Sequence, residues 1–265
     1  MNRSFSITRT AKVVSWLFEN NKRQLGVLAG VMLGVMGFET VVNMLGDYYQ
    51  FAYHHVVIQA GNMALTMIFL LLLLSPAFIM RKLSKTGRAV EFFALPASHS
   101  EKYVASWLFV VIGGALAFLG GFLLYDVVQF LLASVLLPGH AEWAVSYLTY
   151  SFSFYNVADN GVACWDALCG LGLFVWIQSV YALGGTFFRR FQWLFVTLFL
   201  FAMLILMAMI VTERIEAQTM ELILNAKQYL MFLCGVFAIF TVLNYWLSFR
   251  FFKRSQVINN RWVNF

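Results

Sequence analysis

The chain has 265 residues, of which 62% are hydrophobic and 11% charged, with a formal net charge of +6. A soluble domain of this length cannot bury several helices that are apolar on every face, so composition excludes that class. The positive balance fits loops beside a membrane and contact with anionic headgroups, not a nucleic-acid-binding surface.

A hydrocarbon core of about 30 Å takes about 20 apolar residues per crossing. On that measure the fold class is all-α: a polytopic membrane protein, one transmembrane domain over residues 1–265. Residues 5–20 come first. Ile7, Ala11, Val14 and Phe18 recur at helical spacing with Arg9, Lys12, Ser15 and Glu19 between them, the pattern of an amphipathic helix lying in the interface. Asn21-Lys22-Arg23 is expected to turn the chain into the bilayer. The polar lead is too long for a cleaved signal peptide. Span one follows over residues 25–45, where Gly26, Gly30, Gly34 and Gly37 permit close helix packing within the bundle or at a dimer seam. Span two covers residues 60–80.

Next comes RKLSKTGRAVEFFALPASHSEKY, residues 81–103, which holds five of the eighteen Lys and Arg residues. A basic loop beside spans marks the cytoplasmic side. Pro96 fixes its own φ and biases Leu95 away from helix. Ser98 with Glu101 three residues on fits a capping box, so the helix of span three is expected to begin inside the cytoplasm. Before Pro96, Arg88 to Ala94 reads as a short helix presenting Phe92, Phe93 and Leu95 for contact. The alternative is a solvated basic loop whose apolar residues touch lipid.

Span three runs over residues 104–137, with Gly113-Gly114 and Gly120-Gly121 one heptad apart. Spans four, five and six cover residues 163–188, 191–212 and 229–252. With six spans and the N-terminus inside, sixteen of the eighteen basic residues are cytoplasmic; Arg214 and Lys227 are the exceptions. Splitting the 104–137 run would put Arg189 and Arg190 outside, against the positive-inside rule. Residues 126–137 therefore read as an extension of span three or a bent outer segment. The external segment 138–162 lacks Lys and Arg and is rich in aromatics, as suits the outer interface. Residues 213–228 read as a short amphipathic or re-entrant helix.

Few side chains point to chemistry. No G-x-x-x-x-G-K-[ST] loop is present, so ATP hydrolysis is not expected on this chain. No nucleophile, acid pair or metal-ligand motif favours an enzyme. Cys164, Cys169 and Cys234 lie in apolar runs and read as packing residues. His54 and His55 are adjacent and read as interface histidines. A metal site with Glu142 or Asp47 is the less favoured reading. Glu39, Asp126 and Asp166 fall within or beside spans, where acids are costly. Glu39, Asn43, Asp126 and Gln129, with Asn62 near their level, are candidates for a polar external cavity; snorkelling or helix–helix hydrogen bonding is the alternative.

The segment Glu91-Phe92-Phe93-Ala94-Leu95-Pro96-Ala97-Ser98-His99-Ser100-Glu101-Lys102-Tyr103 is similar to the LPAS…EK stretch of ABC type-2 exporter permease subunits, especially the compact bacterial ones. The resemblance extends to an N-terminal interfacial helix, six spans, a long external segment before span six and two cytoplasmic termini. It implies a coupling helix between spans two and three that sits in a groove of a separate ATPase subunit. Arg88, Glu91, Phe92, Phe93, Leu95, Pro96, Ser98, Glu101 and Lys102 form the implied coupling set, with Arg88 to Leu95 against the ATPase and Glu101 and Lys102 anchoring span three. It further implies no cofactor on this chain, ATP and Mg on the partner, a second permease subunit as homodimer or pair, and the bacterial inner membrane with its lipids as setting. The competing function is a membrane scaffold or sensor that regulates a partner without transport.

Overall fold

The computed structural model describes residues 5–46, 53–80, 86–136, 141–147, 161–188, 191–217 and 226–255. These are almost wholly helical. Among them, five helical stretches are long and apolar enough to cross a membrane: Ile7–Val42, Val56–Phe78, His99–Val135, Leu168–Phe187 and Met231–Arg254. A shorter apolar stretch covers Gln192–Leu206. The chain is a helical membrane protein by length and hydropathy of its helices.

Helix α1 runs unbroken over Ile7–Gly46. The turn expected at Asn21–Arg23 is absent. No Pro or Gly precedes Gly26, and polar residues of this kind cost a helix little. Asn21 is buried, and its Nδ2 donates to the Leu17 carbonyl at 2.7 Å, back onto its own helix. Helix α2, Tyr53–Leu74, starts seven residues before the expected span two, because His54, His55 and Gln59 extend a helix without being apolar. It ends earlier than expected, giving way to a 3₁₀ turn at Ser75–Phe78 with Pro76 in its first turn. Pro76 has no N–H for the Leu72 carbonyl, so the α ladder stops there. The Pro was visible in the sequence inside the expected span two.

Helix α3 spans Thr86–Ala94 and α4 spans His99–Leu108. A π-helical turn, Phe109–Gly113, joins α4 to α5, Gly114–Leu136. The apolar run is thus one helical course, as the charge argument required, with one widened turn. A short helical stretch covers residues 144–147. Helices α6 (Gly161–Phe187), α7 (Gln192–Ala217) and α8 (Ala226–Arg254) complete the described chain. Phe191, at φ 52°, makes the left-handed turn into α7. The centre of the expected re-entrant helix, residues 218–225, and most of the aromatic external segment lie outside the described residues.

The chain divides into two compact units. One comprises Val14–Leu72 and Leu108–Asn156. Its core is Met32, Met36, Val57, Ala60, Ala64, Phe118, Phe122 and Tyr125, from α1, α2 and α5. Gly121 allows the closest approach: a Cβ there would lie 2.5 Å from the Ala29 carbonyl oxygen. At the π-helical turn the Phe18 ring meets Phe109 edge-on, centroids 5.1 Å apart, and lies over Gly113. The other unit comprises Met1–Val13, Leu73–Trp107 and Val157–Phe265. In it α6 packs along α8 and onto the 3₁₀ turn. A Cβ on Gly185 would lie 2.5 Å from the Ala77 carbonyl oxygen.

Candidate functional site at the junction of α3 and α4

The sequence of the junction dictates a stop and a restart. Leu95 N–H bonds the Phe92 carbonyl at 3.4 Å and Ala97 N–H the Leu95 carbonyl at 2.8 Å, a tight turn across Pro96. Ser98 then caps α4. Glu101 N–H donates to Ser98 Oγ at 3.3 Å, and Ser98 N–H donates to Glu101 Oε2 at 2.8 Å. This reciprocal pair is the capping box expected from Ser98 and Glu101.

Glu101 does more than cap. Its Oε1 accepts from Ser6 N–H at 2.8 Å, Arg9 Nε at 3.1 Å and Arg9 Nη2 at 2.9 Å. The side chain is 0% exposed, while Arg9 keeps 32%. The N-terminal segment covers the carboxylate, which is shallow rather than deeply embedded. Removing a carboxylate from water is costly unless it is paired and hydrogen-bonded. Four donors on two oxygens meet that condition here.

The next two residues extend the pattern. Lys102 is buried, and its Nζ donates to the Phe93 carbonyl at 2.8 Å. That carbonyl belongs to the last turn of α3, where acceptors lack intrahelical partners and a cation is favoured. The ammonium also stands 6.0 Å from each of the Phe92 and Phe93 ring centroids. Tyr103 donates its hydroxyl to Ser248 Oγ of α8 at 2.9 Å. Its ring meets Phe249 and Phe252 edge-on, at 5.6 and 5.4 Å. Ser248 Oγ donates to the Ala182 carbonyl of α6 at 3.1 Å, and Thr186 Oγ1 lies 3.1 Å from Ser248 Oγ. One turn back along α8, Asn244 Nδ2 donates to Ser179 Oγ at 3.0 Å.

The placement of α3 corrects one expectation. Phe92 is 1% exposed and packs on Phe252, centroids 6.5 Å apart. It is a core residue of its unit, not a side chain held out for a partner. Phe93, Leu95 and Ser98 are half-buried, while Glu91, Ala94 and Pro96 are exposed and Val90 is 52% exposed. The outward edge of α3 is therefore Val90, Glu91 and Ala94, at helical spacing. Arg88 lies in α3 by its backbone; its side chain is outside the described residues. A Phe in a short polar segment reads equally well outward or inward, and the inward signal was remote: the Phe-rich FRFF run of α8 that receives it.

The second candidate set gathers around Asp126, which is 1% exposed. Its Oδ1 accepts from Ala144 N–H at 2.7 Å and Gln129 Nε2 at 2.9 Å, and its Oδ2 from Val145 N–H at 3.1 Å. Gln129 Nε2 also donates to the Glu142 carbonyl at 2.9 Å. Phe130 stacks on Trp143 with centroids 4.1 Å apart. Asp126 thus caps the helical stretch 144–147 and holds it to α5. Tyr147 donates to Glu142 Oε2 at 2.6 Å, and the carboxylate that accepts this bond pushes the phenol up to about 12. The structure brings Asp126 and Gln129 together on the chain's own backbone. Glu39 is half-buried on α1 beside Thr40, whose hydroxyl shares a hydrogen bond with Tyr125. Asn62 is exposed, and the Asn43 side chain lies outside the described residues.

Two other motifs resolve differently. A Cβ on Gly26, Gly30, Gly34 or Gly37 would meet nothing within 4 Å. Within its own unit that stripe makes no close helix contact of the kind its spacing suggested. In the helical course of span three, by contrast, Gly113, Gly114 and Gly121 are tight. Among the described residues no cluster of His, Cys, Asp and Glu could hold a metal ion. The side chains of His54, His55 and Cys164, and residues Asp47 and His140, lie outside them. No protein-family model, curated protein or solved structure matches this chain.

Proposed function

We propose that the chain is the permease subunit of an ATP-driven exporter, working with a separate ATPase that carries ATP and Mg. Six spans, α7 among them, would form the membrane pathway with a second permease subunit, both termini facing the cytoplasm of a bacterium. The observation that supports this reading is α3. It is a short amphipathic helix whose edge Val90–Glu91–Ala94 is free for a partner. Its opposite side is fixed by Lys102 and Phe92 to helices of membrane-spanning length. Alternating access needs such a mechanical link between a motor and a bundle.

Purification of the full chain from its native membranes in mild detergent tests the reading. A phosphate-loop ATPase is expected to co-purify, and Val90→Asp with Glu91→Lys is expected to remove it while the chain stays folded. Purification without any ATPase, or retention of the ATPase by that double variant, refutes the docking assignment.

A further inference from the structure

Glu101, Lys102 and Tyr103 are consecutive, and each reaches a different element. Successive residues of an α-helix are turned by about 100°, so three in a row leave the helix in three directions. Glu101 holds the N-terminal segment through Ser6 and Arg9. Lys102 holds the last turn of α3. Tyr103 holds α8, and through Ser248 it reaches α6. Phe92 and Phe252 close the ring of contacts from α3 back to α8. All of these residues belong to one compact unit.

We infer that Glu101, Lys102 and Tyr103 are positioning residues that make the N-terminal segment, α3, α6 and α8 move as one body. A push on the outer edge of α3 then reaches the α6–α8 pair at Ser248 instead of being absorbed in the turn at Pro96. The transmission role rests on the permease reading; the single-body claim does not. Lys102 fixes the last turn of α3 through the Phe93 carbonyl, and Tyr103 supplies the polar contact that a Phe would lack.

Amide hydrogen exchange on the full chain in nanodiscs tests the single body. Lys102→Met is expected to raise exchange about fivefold across residues 86–94, the effect of one lost hydrogen bond, while Lys102→Arg keeps protection. Tyr103→Phe, which retains the ring contacts, is expected to raise exchange at residues 182–186 and 244–252. Arg9→Met is expected to do so at residues 7–13. Wild-type protection in those remote elements, or an equal rise in every helix, overturns the inference. A second arm measures ATP turnover with the co-purified ATPase. Tyr103→Phe is expected to lower kcat severalfold with KM for ATP unchanged, and an unchanged kcat overturns the transmission role. If the wild-type chain retains no ATPase, the permease reading falls, and the exchange arm alone decides whether the elements form one body.

Discussion

Glu101→Gln is the most discriminating single change at the junction. A Gln keeps the shape but replaces one oxygen by an NH₂ group. If that group faces Ser98, it confronts the cap N–H; if it faces the other way, it confronts Ser6 N–H and Arg9. Either way one covered backbone N–H loses its acceptor, which costs about 1–3 kcal/mol. The ion pair with Arg9 adds at most about 1 kcal/mol, because Arg9 is a third exposed and reaches water. The expected loss is about 2–3 kcal/mol, with the unpaired donor the larger part. Arg9→Met should cost less, about 1 kcal/mol, since Glu101 keeps its two backbone donors. The pair should couple, so that the double variant is less damaged than the sum. Thermal or denaturant unfolding of the purified chain in one detergent measures all three variants. If Arg9→Met costs as much as Glu101→Gln, charge and not the donor count governs the site. A Glu101→Gln loss within about 0.5 kcal/mol of wild type, the range of ordinary surface changes, would likewise refute the role of the covered donors.

Three further outcomes follow from the packing. Gly121→Leu and Gly185→Leu should each destabilise the chain by at least about 1–3 kcal/mol, because a Cβ meets a carbonyl oxygen. Gly30→Leu, which meets nothing, should be near neutral in the isolated chain, and equal losses at the three sites in unfolding assays would contradict the packing. Asp126→Ala should remove the cap of residues 144–147 at a cost of about 1–2 kcal/mol. Limited proteolysis should then cut near residues 141–147 faster than in wild type, and an unchanged rate would refute the clasp. Deleting Val110 should convert the π-helical turn to α-helix and be tolerated better than deleting Leu116 from regular helix. Equal losses of folded protein for the two deletions would show that the widened turn is not a one-residue insertion.

Local signals in the sequence carried the helix start at Ser98 and the stop at Pro96, because a cap and a Pro act within four residues. The single course of residues 99–136 was legible from a remote signal, the charges at Arg189 and Arg190. Local signals failed where a boundary depends on tertiary support. Asn21-Lys22-Arg23 looked like a turn because it is polar, yet nothing in it breaks a helix, and Asn21 bonds backward to Leu17. The stripe Gly26 to Gly37 looked like a packing seam, but spacing cannot say whether a partner lies opposite. Asp126 read as a candidate for a polar external cavity, with helix–helix hydrogen bonding as the alternative, because a carboxylate in an apolar run is costly. What satisfies it is the backbone of residues 144 and 145, eighteen or nineteen positions away, which no local pattern encodes.

Phe92 shows how burial changes the reading of the junction. As an exposed anchor it would make α3 a loose peptide that gains order only on its partner. Buried on Phe252 it makes α3 part of the scaffold before any partner arrives. Rigidifying a segment in its bound form lowers the ordering cost of association. A mobile α3 would yield under load, whereas a fixed one passes displacement on. Two fastenings set against one outward edge favour the second behaviour: Phe92 inward and Lys102 on the last turn. Phe92→Ala should therefore cost about 3–5 kcal/mol and release α3, while Glu91→Lys leaves stability unchanged. If instead Phe92→Ala unfolds nothing and only weakens partner capture, the side chain belongs to the interface and not to the scaffold.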